Sequence, residues 1–372
     1  GLEAGLDLEM PASGGHTDAE IVEAVKTGVL DEAVLDTAVE RILNIIFKFS
    51  DNRQPGKFDK EADHNLAARI ARESMVLLKN DGILPLKGEG QKIAFIGKFA
   101  EKPRFQGGGS SHINSFKVTS ALDAVKKYAD VSYAQGYDVK EDKVDEAMFA
   151  EAVETAEHAD IAVVFAGLPD AFESEGYDRE HMRMPECQNR LIAEIVKVQP
   201  NTVVVLHNGS PVEMPWADDV RGILESYLCG QAVGEAQADI LFGRANPCGK
   251  LAETVPYKLS DNPSYLNFPG DGKTVEYREG VFVGYRYYDT KEMAVRYPFG
   301  YGLSYTTFEY SDLKLSAKEI KDTDTLTVSL KVKNTGSMAG KEIVQLYVTD
   351  KTNAASRPVK ELKNFAKVEL AP

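Results

Sequence analysis

Ionisable side chains cluster in the segment between residues 167 and 181, which directly follows the apolar run Ile161–Phe165. The cluster contains carboxylates, an arginine and a histidine, and its members are Asp170, Glu173, Glu175, Asp178, Arg179, Glu180 and His181. Gly176 adds backbone freedom, and Arg179 can bind a neighbouring carboxylate through two hydrogen bonds. A carboxyl group crowded by like charges has a raised pKa, which suits a general acid. A solvated acidic surface loop has the same composition, so both interpretations stay open at this point.

A second polar segment, Gln106–His112, contains consecutive glycines and follows the apolar run Ile93–Ile96. Glycine-rich loops that precede a helix can bind phosphate. This segment lacks both the GxGxxG and the GxxxxGK[ST] spacing, and Ser120, where the next helical pattern begins, comes well after the glycines. We therefore predict a tight loop that lines a cleft rather than a nucleotide site.

A third segment, His207–Pro211, ends another apolar run. A serine-hydrolase elbow needs GxSxG, with the serine on a sharp turn into a helix. Here Pro211 follows Ser210 and the second glycine is missing, so we do not expect a nucleophilic serine. His207 is better explained as a buried structural histidine. Because no two histidines have the spacing of metal ligands, we expect no metal and no cofactor.

The overall composition disfavours some kinds of binding partner. Asp and Glu total 58 against 43 Lys and Arg, and the formal net charge of −15 disfavours nucleic acid and anionic membranes. No stretch approaches the roughly 20 apolar residues of a membrane span, and residues 1–11 lack the profile of a signal peptide. The three scattered cysteines fit free thiols rather than disulfides or zinc ligands. A neutral ligand and a cytoplasmic rather than secreted location are the resulting expectations.

Hydrophobic periodicity predicts the elements that carry these loops. Ala19–Phe47 has the spacing of two amphipathic helices, joined near Gly28, that have no sheet of their own to cover. After a polar linker, a further helix is predicted over Asn65–Lys79. Strands are then predicted at Ile93–Ile96, Val131–Tyr133, Ile161–Phe165, Val203–Leu206 and Ile223–Tyr227, separated by helical segments. This alternation indicates an α/β fold, an open and mainly parallel sheet sandwiched by helices, with ligand-binding loops at the carboxyl ends of the strands.

From Tyr305 onward the pattern changes to alternating apolar and polar residues, as in Leu326–Val332 and Ile343–Val348. This alternation, with a turn at residues 334–336, predicts a small antiparallel β-sandwich. Few such strands precede Pro372, so we expect the sandwich to be truncated.

Several long motifs resemble glycoside hydrolase family 3, the β-glucosidase and β-xylosidase family, and occur in the order found in that family. They are AGLDLEMP (Ala4–Pro11), ARESMVLLKNDGILPL (Ala71–Leu86), GSPVEMPWADDV (Gly209–Val220), ADILFGRANPCGKLAETVP (Ala238–Pro256), EGVFVGYRYYD (Glu279–Asp289), PFGYGLSYTTFEY (Pro298–Tyr310) and NTGSMAGKEIVQLYV (Asn334–Val348). The resemblance covers nearly the whole chain.

The resemblance implies a domain plan of a catalytic (β/α)8 barrel, an α/β sandwich and a fibronectin type III-like domain. Applied to this chain, the plan makes residues 1–50 a remnant of the last part of the barrel and residues 51–64 a linker. Residues 65–256 are then the α/β sandwich, residues 257–304 a connecting segment, and residues 305–372 a truncated fibronectin type III-like domain. We therefore expect an upstream barrel domain, on the same or a separate chain, as a partner.

The resemblance also assigns roles to residues. The nucleophile of the family is an aspartate in a Ser-Asp-Trp-type motif upstream of AGLDLEMP, and Trp216 follows Pro215 instead, so no such motif exists here. The general acid/base lies in a Glu-Gly-x-Asp-Arg loop, which assigns the role to Glu175, with Glu173 as the second candidate. The expected cleft residues are Gln106, Gly107, Gly108, Ser110, Ser111, Tyr177, Asp178 and Arg179.

The function implied is part of a retaining β-glucosidase that hydrolyses terminal non-reducing β-D-glucosyl residues of oligosaccharides or glucosides. The alternatives are a β-xylosidase of the same family and a non-catalytic carbohydrate-binding or interaction fragment. Because the expected nucleophile is missing, we expect the isolated chain to be inactive.

Overall fold

A computed structural model describes residues 1–352 and 355–372 of the protein. The chain divides into two compact units, Gly1–Asp59 and Lys60–Pro372, and each is described by itself. Across the described part of the chain, no helix has the length and apolar character that crossing a membrane requires.

The first unit is helical. After a short 3-10 turn at Leu2–Ala4, it contains α1 (His16–Lys26) and α2 (Glu32–Asp51), as the periodicity predicted. The Asp31 side chain caps α2 by accepting a hydrogen bond from the backbone N–H of Ala33 at 3.0 Å. Large apolar side chains of α2 are exposed, and they are Val39, Leu43, Ile45, Ile46, Phe47 and Phe49. The helices therefore carry an apolar surface that nothing within their own unit buries.

The second unit is built on a six-stranded sheet. Its strands are β1 (Val76–Asn80), β2 (Ile93–Ile96), β3 (Val131–Ala134), β4 (Ile161–Gly167), β5 (Thr202–His207) and β6 (Gly222–Glu225). They lie in the order β1-β6-β5-β4-β2-β3, and every pair except β1 with β6 is parallel. Every residue of β2, β4, β5 and β6 is buried, because helices cover both faces of the sheet. The predicted open, mainly parallel α/β fold is confirmed.

The helices of this unit vary in length. They are α3 (Lys60–Ser74), α4 (Lys98–Glu101), α5 (Ala121–Ala124), α6 (Glu146–Glu157), α7 (Glu186–Val198), α8 (Val233–Leu241) and α9 (Tyr285–Thr290), with short 3-10 turns at Gly109–Ser111, Val125–Lys127 and Leu259–Asp261. Asp145 caps α6 by accepting hydrogen bonds from the backbone N–H groups of Ala147 and Met148, both at 3.0 Å.

The helix predicted after the linker differs from the structure in both of its boundaries. The helix expected over Asn65–Lys79 begins earlier and ends at Ser74, and Val76–Asn80 forms an edge strand antiparallel to β6. The first three residues of that strand are almost completely buried, and a short apolar run of this kind has no period that separates strand from helix. The predicted linker of residues 51–64 likewise overlaps α2 at Asp51 and α3 from Lys60.

The C-terminal strands are β7 (Phe308–Leu315), β8 (Val328–Asn334), β9 (Gly340–Val348) and β10 (Glu361–Leu370). They form two antiparallel pairs, β7 with β8 and β9 with β10. This arrangement agrees with the predicted β-sandwich of fibronectin type III-like character. Lys341 at the start of β9 pairs with Glu73 of α3 at 2.8 Å, which joins the strands to the α/β part of the unit.

The core lies on both faces of the sheet. Phe95 of β2 and Phe165 of β4 are fully buried, and their ring centroids are 4.9 Å apart. The only tryptophan, Trp216, is buried in the same core, so its fluorescence reports on the folding of this unit.

We predict that Phe165→Ala lowers the free energy of unfolding by about 3–5 kcal/mol, because the substitution leaves a cavity next to Phe95 in the core. Urea denaturation followed by Trp216 fluorescence measures the change. Phe365→Ala is the matched control, since Phe365 is 66% exposed on β10, and it should change stability by no more than about 0.5 kcal/mol. Equal effects of the two substitutions would contradict the described core.

Candidate active site

Three loops meet at the carboxyl edge of the sheet. Strand β4 leads into the acidic segment, β5 leads into Asn208–Pro211, and β2 leads through α4 to the glycine-rich segment. The last residues of β4 and β5, Gly167 and His207, are paired partners. Because neighbouring parallel strands end at the same edge, polar segments that are far apart in sequence come together here.

Glu175 is exposed at this edge. Its Oε2 atom accepts hydrogen bonds from the Ser110 hydroxyl and from the Ser110 backbone N–H, the latter at 2.7 Å. The hydroxyl bond and then the backbone bond lower the pKa of Glu175 below its ordinary value. The sequence predicted a raised pKa from crowding by like charges. That expectation is wrong for Glu175 in this structure, because two donors stabilise its carboxylate form.

The consecutive glycines explain how Ser110 reaches Glu175. Gly109 has a φ of +78°, and a Cβ atom on it would lie 2.6 Å from the Cβ of Glu175. A Cβ atom on Gly108 would lie 2.9 Å from the Cβ of Ser174. The backbone of the glycine-rich segment therefore packs directly against the segment that carries Glu175, and side chains at these two positions would separate them.

Glu173 lies in a different environment from Glu175. Its side chain is 17% exposed and forms an ion pair with Arg104, with Nη1 and Oε2 2.5 Å apart. It also accepts hydrogen bonds from the Ser210 hydroxyl and from the Gly209 backbone N–H at 2.8 Å. Burial raises the pKa of Glu173, but the hydrogen bonds from Ser210, Gly209 and Arg104 outweigh it and lower the pKa below the ordinary value.

Arg179 does not bind a neighbouring carboxylate directly, as its spacing suggested it could. Its Nη1 atom donates to the Ser210 hydroxyl at 2.7 Å and to the Pro211 carbonyl at 3.0 Å. Since the Ser210 hydroxyl donates to Glu173, Arg179 is linked to that carboxylate through Ser210. Burial lowers the pKa of Arg179.

The remaining predicted cleft residues lie around these groups. Gln106 exchanges hydrogen bonds with the backbone of Ile113, at 3.0 and 3.3 Å, which closes the glycine-rich segment into a loop. Gly107 precedes the packed glycines, and the Ser111 hydroxyl donates to the Gly108 carbonyl at 3.1 Å. Tyr177 and Asp178 are exposed on the acidic segment, where the Tyr177 hydroxyl donates to the Asp170 carbonyl.

Sequence reasoning missed Arg104. This residue is buried, and its guanidinium contacts the acidic segment through several hydrogen bonds. The one available signal was its position just before the glycine-rich segment. A single arginine in an otherwise ordinary stretch, Lys102–Phe105, has no pattern that marks it as a ligand of residues about 65 positions later.

A buried histidine lies beneath the loops. His207 is completely inaccessible, and its Nε2 atom accepts from the Gln237 amide at 2.8 Å. The other ring nitrogen, Nδ1, therefore carries the proton and donates to the Arg104 carbonyl at 3.2 Å. Burial lowers the pKa of His207 to about 4, so the imidazole is neutral at neutral pH.

Beside it lies a buried carboxyl group that the sequence analysis also missed. Glu225 ends β6 and accepts hydrogen bonds from the Asn208 amide at 3.0 Å and from the Tyr227 backbone N–H at 2.9 Å. Burial raises the pKa of Glu225 to about 8. Its position within the apolar run Ile223–Tyr227 was the available signal, since a carboxylate is rarely buried in a strand unless it is bound.

Within residues 1–352 and 355–372, no group of three or more His, Cys, Asp and Glu side chains is placed to hold a metal ion.

Comparison with known proteins identifies the family to which the chain belongs. The profile of the glycosyl hydrolase family 3 C-terminal domain matches residues 75–305, and that of the fibronectin type III-like domain matches residues 342–372. The open α/β sheet and the following β-strands are the architecture of that family's C-terminal part. The chain belongs to glycoside hydrolase family 3, as its motifs predicted.

Individual relatives agree with this assignment. The chain is 58% identical over 378 residues to thermostable β-glucosidase B of Acetivibrio thermocellus, covering 100% of this chain and 50% of the relative. It is 45% identical to the exo-α-(1→6)-L-arabinopyranosidase of Bifidobacterium longum over 99% of this chain and 50% of that protein. The crystal structure of the Bifidobacterium adolescentis family 3 β-glucosidase superposes with a TM-score of 0.90 at 45% identity, covering 100% of this chain and 55% of that one. The chain thus spans about half the length of the curated relatives it matches.

The two buried groups predict how stability depends on pH. Between pH 4 and 6.5 the unfolded state protonates His207 and the folded state does not, so this residue makes stability fall as pH falls. Between pH 4.5 and 8 the folded state keeps the Glu225 proton and the unfolded state loses it, so this residue makes stability fall as pH rises. Above pH 6.5, of these two groups only Glu225 still contributes, with a slope of up to about 1.4 kcal/mol per pH unit.

Glu225→Gln should remove the part of this decline that comes from Glu225, because glutamine does not titrate. The measurement is the urea midpoint, followed by Trp216 fluorescence, at pH values from 5 to 8. The difference between wild type and variant isolates Glu225 from the other titrating groups, and Glu180→Gln, at an exposed position of the acidic segment, serves as the control. An unchanged pH dependence in Glu225→Gln would show that this carboxyl group is not protonated in the folded state.

Proposed function

We propose that this chain supplies the general acid/base of a retaining β-glucosidase and that Glu175 is that residue. The observation that carries the proposal is an exposed carboxylate at the carboxyl edge of the sheet, held by the glycine-rich loop, in a chain of glycoside hydrolase family 3. Relatives that are named β-glucosidases support the reaction class.

We also propose the domain plan inferred from the sequence. Residues 1–50 are the last part of a (β/α)8 barrel, residues 51–64 a linker, residues 65–256 the α/β sandwich, residues 257–304 a connecting segment and residues 305–372 a fibronectin type III-like domain. The exposed apolar side chains of α2 support the first assignment, because barrel helices pack against neighbouring elements. The partner is an upstream barrel domain, on the same or a separate chain, that supplies the aspartate nucleophile.

The mechanism follows from two carboxylates on opposite sides of the scissile bond, about 5–5.5 Å apart in retaining enzymes. Protonated Glu175 donates its proton to the glycosidic oxygen while the nucleophile attacks the anomeric carbon and forms a glycosyl-enzyme. Glu175, now ionised, then takes a proton from the water that attacks this intermediate. The cleft residues Gln106, Gly107, Gly108, Ser110, Ser111, Tyr177, Asp178 and Arg179 surround the leaving group and the acid/base loop.

The proposed substrate is a terminal non-reducing β-D-glucosyl residue of an oligosaccharide or glucoside. A second candidate is an L-arabinopyranoside, because relatives that are 45% identical carry the name exo-α-(1→6)-L-arabinopyranosidase. A β-xyloside is the alternative that the sequence left open. Comparing kcat/KM for aryl β-D-glucoside, aryl β-D-xyloside and aryl α-L-arabinopyranoside, in the complete protein that contains this chain, separates the three candidates. Absence of turnover for all of them would favour a carbohydrate-binding or interaction role.

Glu175→Ala tests the catalytic role in the complete protein that contains this chain. For a substrate with a poor leaving group, such as an alkyl β-glucoside, kcat/KM should fall by about 100- to 10,000-fold because acid assistance is lost. A dinitrophenyl glucoside needs little protonation, so its glycosylation step should be nearly unaffected. Azide should restore turnover and give the β-glycosyl azide, since an anion attacks the intermediate without base assistance.

The control is Glu180→Ala, which removes an exposed carboxylate from the same segment and should leave kinetics unchanged. A uniform loss for both leaving groups in Glu175→Ala, with no azide product, would reject Glu175 as the acid/base. The second candidate, Glu173, is then tested in the same way.

Ser110→Ala tests how the glycine-rich loop tunes this acid. The Ser110 hydroxyl lowers the pKa of Glu175, so its removal should raise that pKa and keep the acid protonated to higher pH. The alkaline limb of the kcat/KM profile, which reports the acid of the free enzyme, should therefore move to higher pH. Ser111→Ala should leave the limb in place, because its hydroxyl donates to the Gly108 carbonyl instead. A shift to lower pH would contradict the described contact.

A further inference from the structure

We propose that Arg104 and Glu173 are positioning residues whose buried ion pair holds the loop that carries Glu175 in its catalytic place. The inference rests on the proposed function, because it gives these residues a role only if Glu175 is the acid/base. It assigns Glu173 to the support of the catalytic group rather than to the chemistry.

The guanidinium of Arg104 forms hydrogen bonds with the first part of the loop that carries Glu175. Its Nη1 atom donates to the Leu168 carbonyl at 2.8 Å, and Nε donates to Asp170 at 3.1 Å. Its Nη2 atom donates to the Glu173 carbonyl at 2.7 Å, while Nη1 also reaches the Glu173 carboxylate at 2.5 Å. One buried side chain therefore fixes three points of the segment between the end of β4 and Glu175.

The carboxylate of Glu173 fixes the same segment to the next strand. It accepts from the Gly209 N–H at 2.8 Å and from the Ser210 hydroxyl, and both donors lie in the segment that follows β5. A largely buried ion pair is costly to break on one side, because the remaining charge loses its closest counter-charge in a place that water hardly reaches. The pair thus joins the loops that follow β2, β4 and β5.

The anchor lies close to the catalytic carboxylate along the chain. Only Ser174 separates Glu173 from Glu175, and an extended chain spans about 3.3–3.6 Å per residue. Ser174 in turn packs against Gly108. A displacement of Glu173 therefore displaces Glu175 as well. A misplacement of a catalytic group by about 1 Å can lower the rate about 100-fold.

The environments of the two carboxylates give them separate roles. Glu173 is largely buried, and Arg104, Gly209 and Ser210 donate to its carboxylate oxygens, so these oxygens are not free to contact a substrate. Glu175 is exposed and contacts one residue of a glycine-rich loop, so its proton can exchange with substrate and water.

Arginine also suits this position better than lysine. A guanidinium presents five N–H donors in a rigid planar fork, whereas an ammonium presents three donors from one atom. The acceptors around Arg104 surround three of its nitrogens. We therefore expect Arg104→Lys to keep the positive charge but to lose hydrogen bonds that hold the acidic segment in place.

The test applies a leaving-group comparison to Arg104→Lys and Glu173→Gln in the complete protein. If the loop is displaced, acid assistance is lost, so kcat/KM for an alkyl β-glucoside should fall by about 100-fold. The loss for a dinitrophenyl glucoside should be much smaller, and KM for the latter should change little. A merely structural role gives equal losses for both substrates, because it lowers the amount of active protein.

The control is Arg183→Lys, at an exposed arginine of the same unit, which should leave both rates unchanged. Trp216 fluorescence and the urea midpoint check folding of each variant. If both Arg104→Lys and Glu173→Gln fail to fold, Ser210→Ala, which removes one hydrogen bond to Glu173, should show the same leaving-group dependence in weaker form.

The outcomes separate this inference from the proposed function. No leaving-group dependence in Glu175→Ala rejects the proposed function itself. Leaving-group dependence in Glu175→Ala, with equal or no losses for both substrates in folded variants at positions 104, 173 and 210, overturns the inference alone.

Discussion

Parallel pairing of β2, β4 and β5 is the constraint on which the rest of the site depends. Parallel strands end at the same edge, so the segments that follow them meet although they are far apart in sequence. The chain uses this edge for a glycine-rich loop, an acidic loop and the turn at Gly209. The sheet beneath is buried on both faces, which gives these loops a rigid base.

The polar groups at the carboxyl edge of the sheet differ in how far they are exposed to solvent. His207 and Glu225 are the most buried of these groups, and each accepts a hydrogen bond from a buried amide. The side chain of Glu173, which pairs with Arg104, is 17% exposed, and Glu175 is more exposed than Glu173. Solvent exposure thus increases toward Glu175, the carboxylate that we propose for proton transfer. The more buried groups each form more than one hydrogen bond, which holds them in place.

Much of the fold could be predicted from the sequence, because strands buried on both faces leave continuous apolar runs between helical patterns. The runs at Ile93–Ile96 and Ile161–Phe165 match the strand starts that the structure shows. Val76–Asn80 could not be assigned in the same way. Its strand conformation depends on antiparallel pairing with β6, a partner almost 150 residues away, and local propensity does not contain that information.

By itself, the sequence determined the α/β class, the family and the two glutamates that we consider as candidates for the general acid/base. Only the tertiary structure decided their environments. Glu173 and Glu175 belong to one short acidic segment, yet Glu173 is buried against Arg104 and Glu175 is exposed beside Ser110. The physical reason is that a carboxylate's pKa and mobility depend on burial and on the donors around it. Those donors come from parts of the chain that become neighbours only after folding.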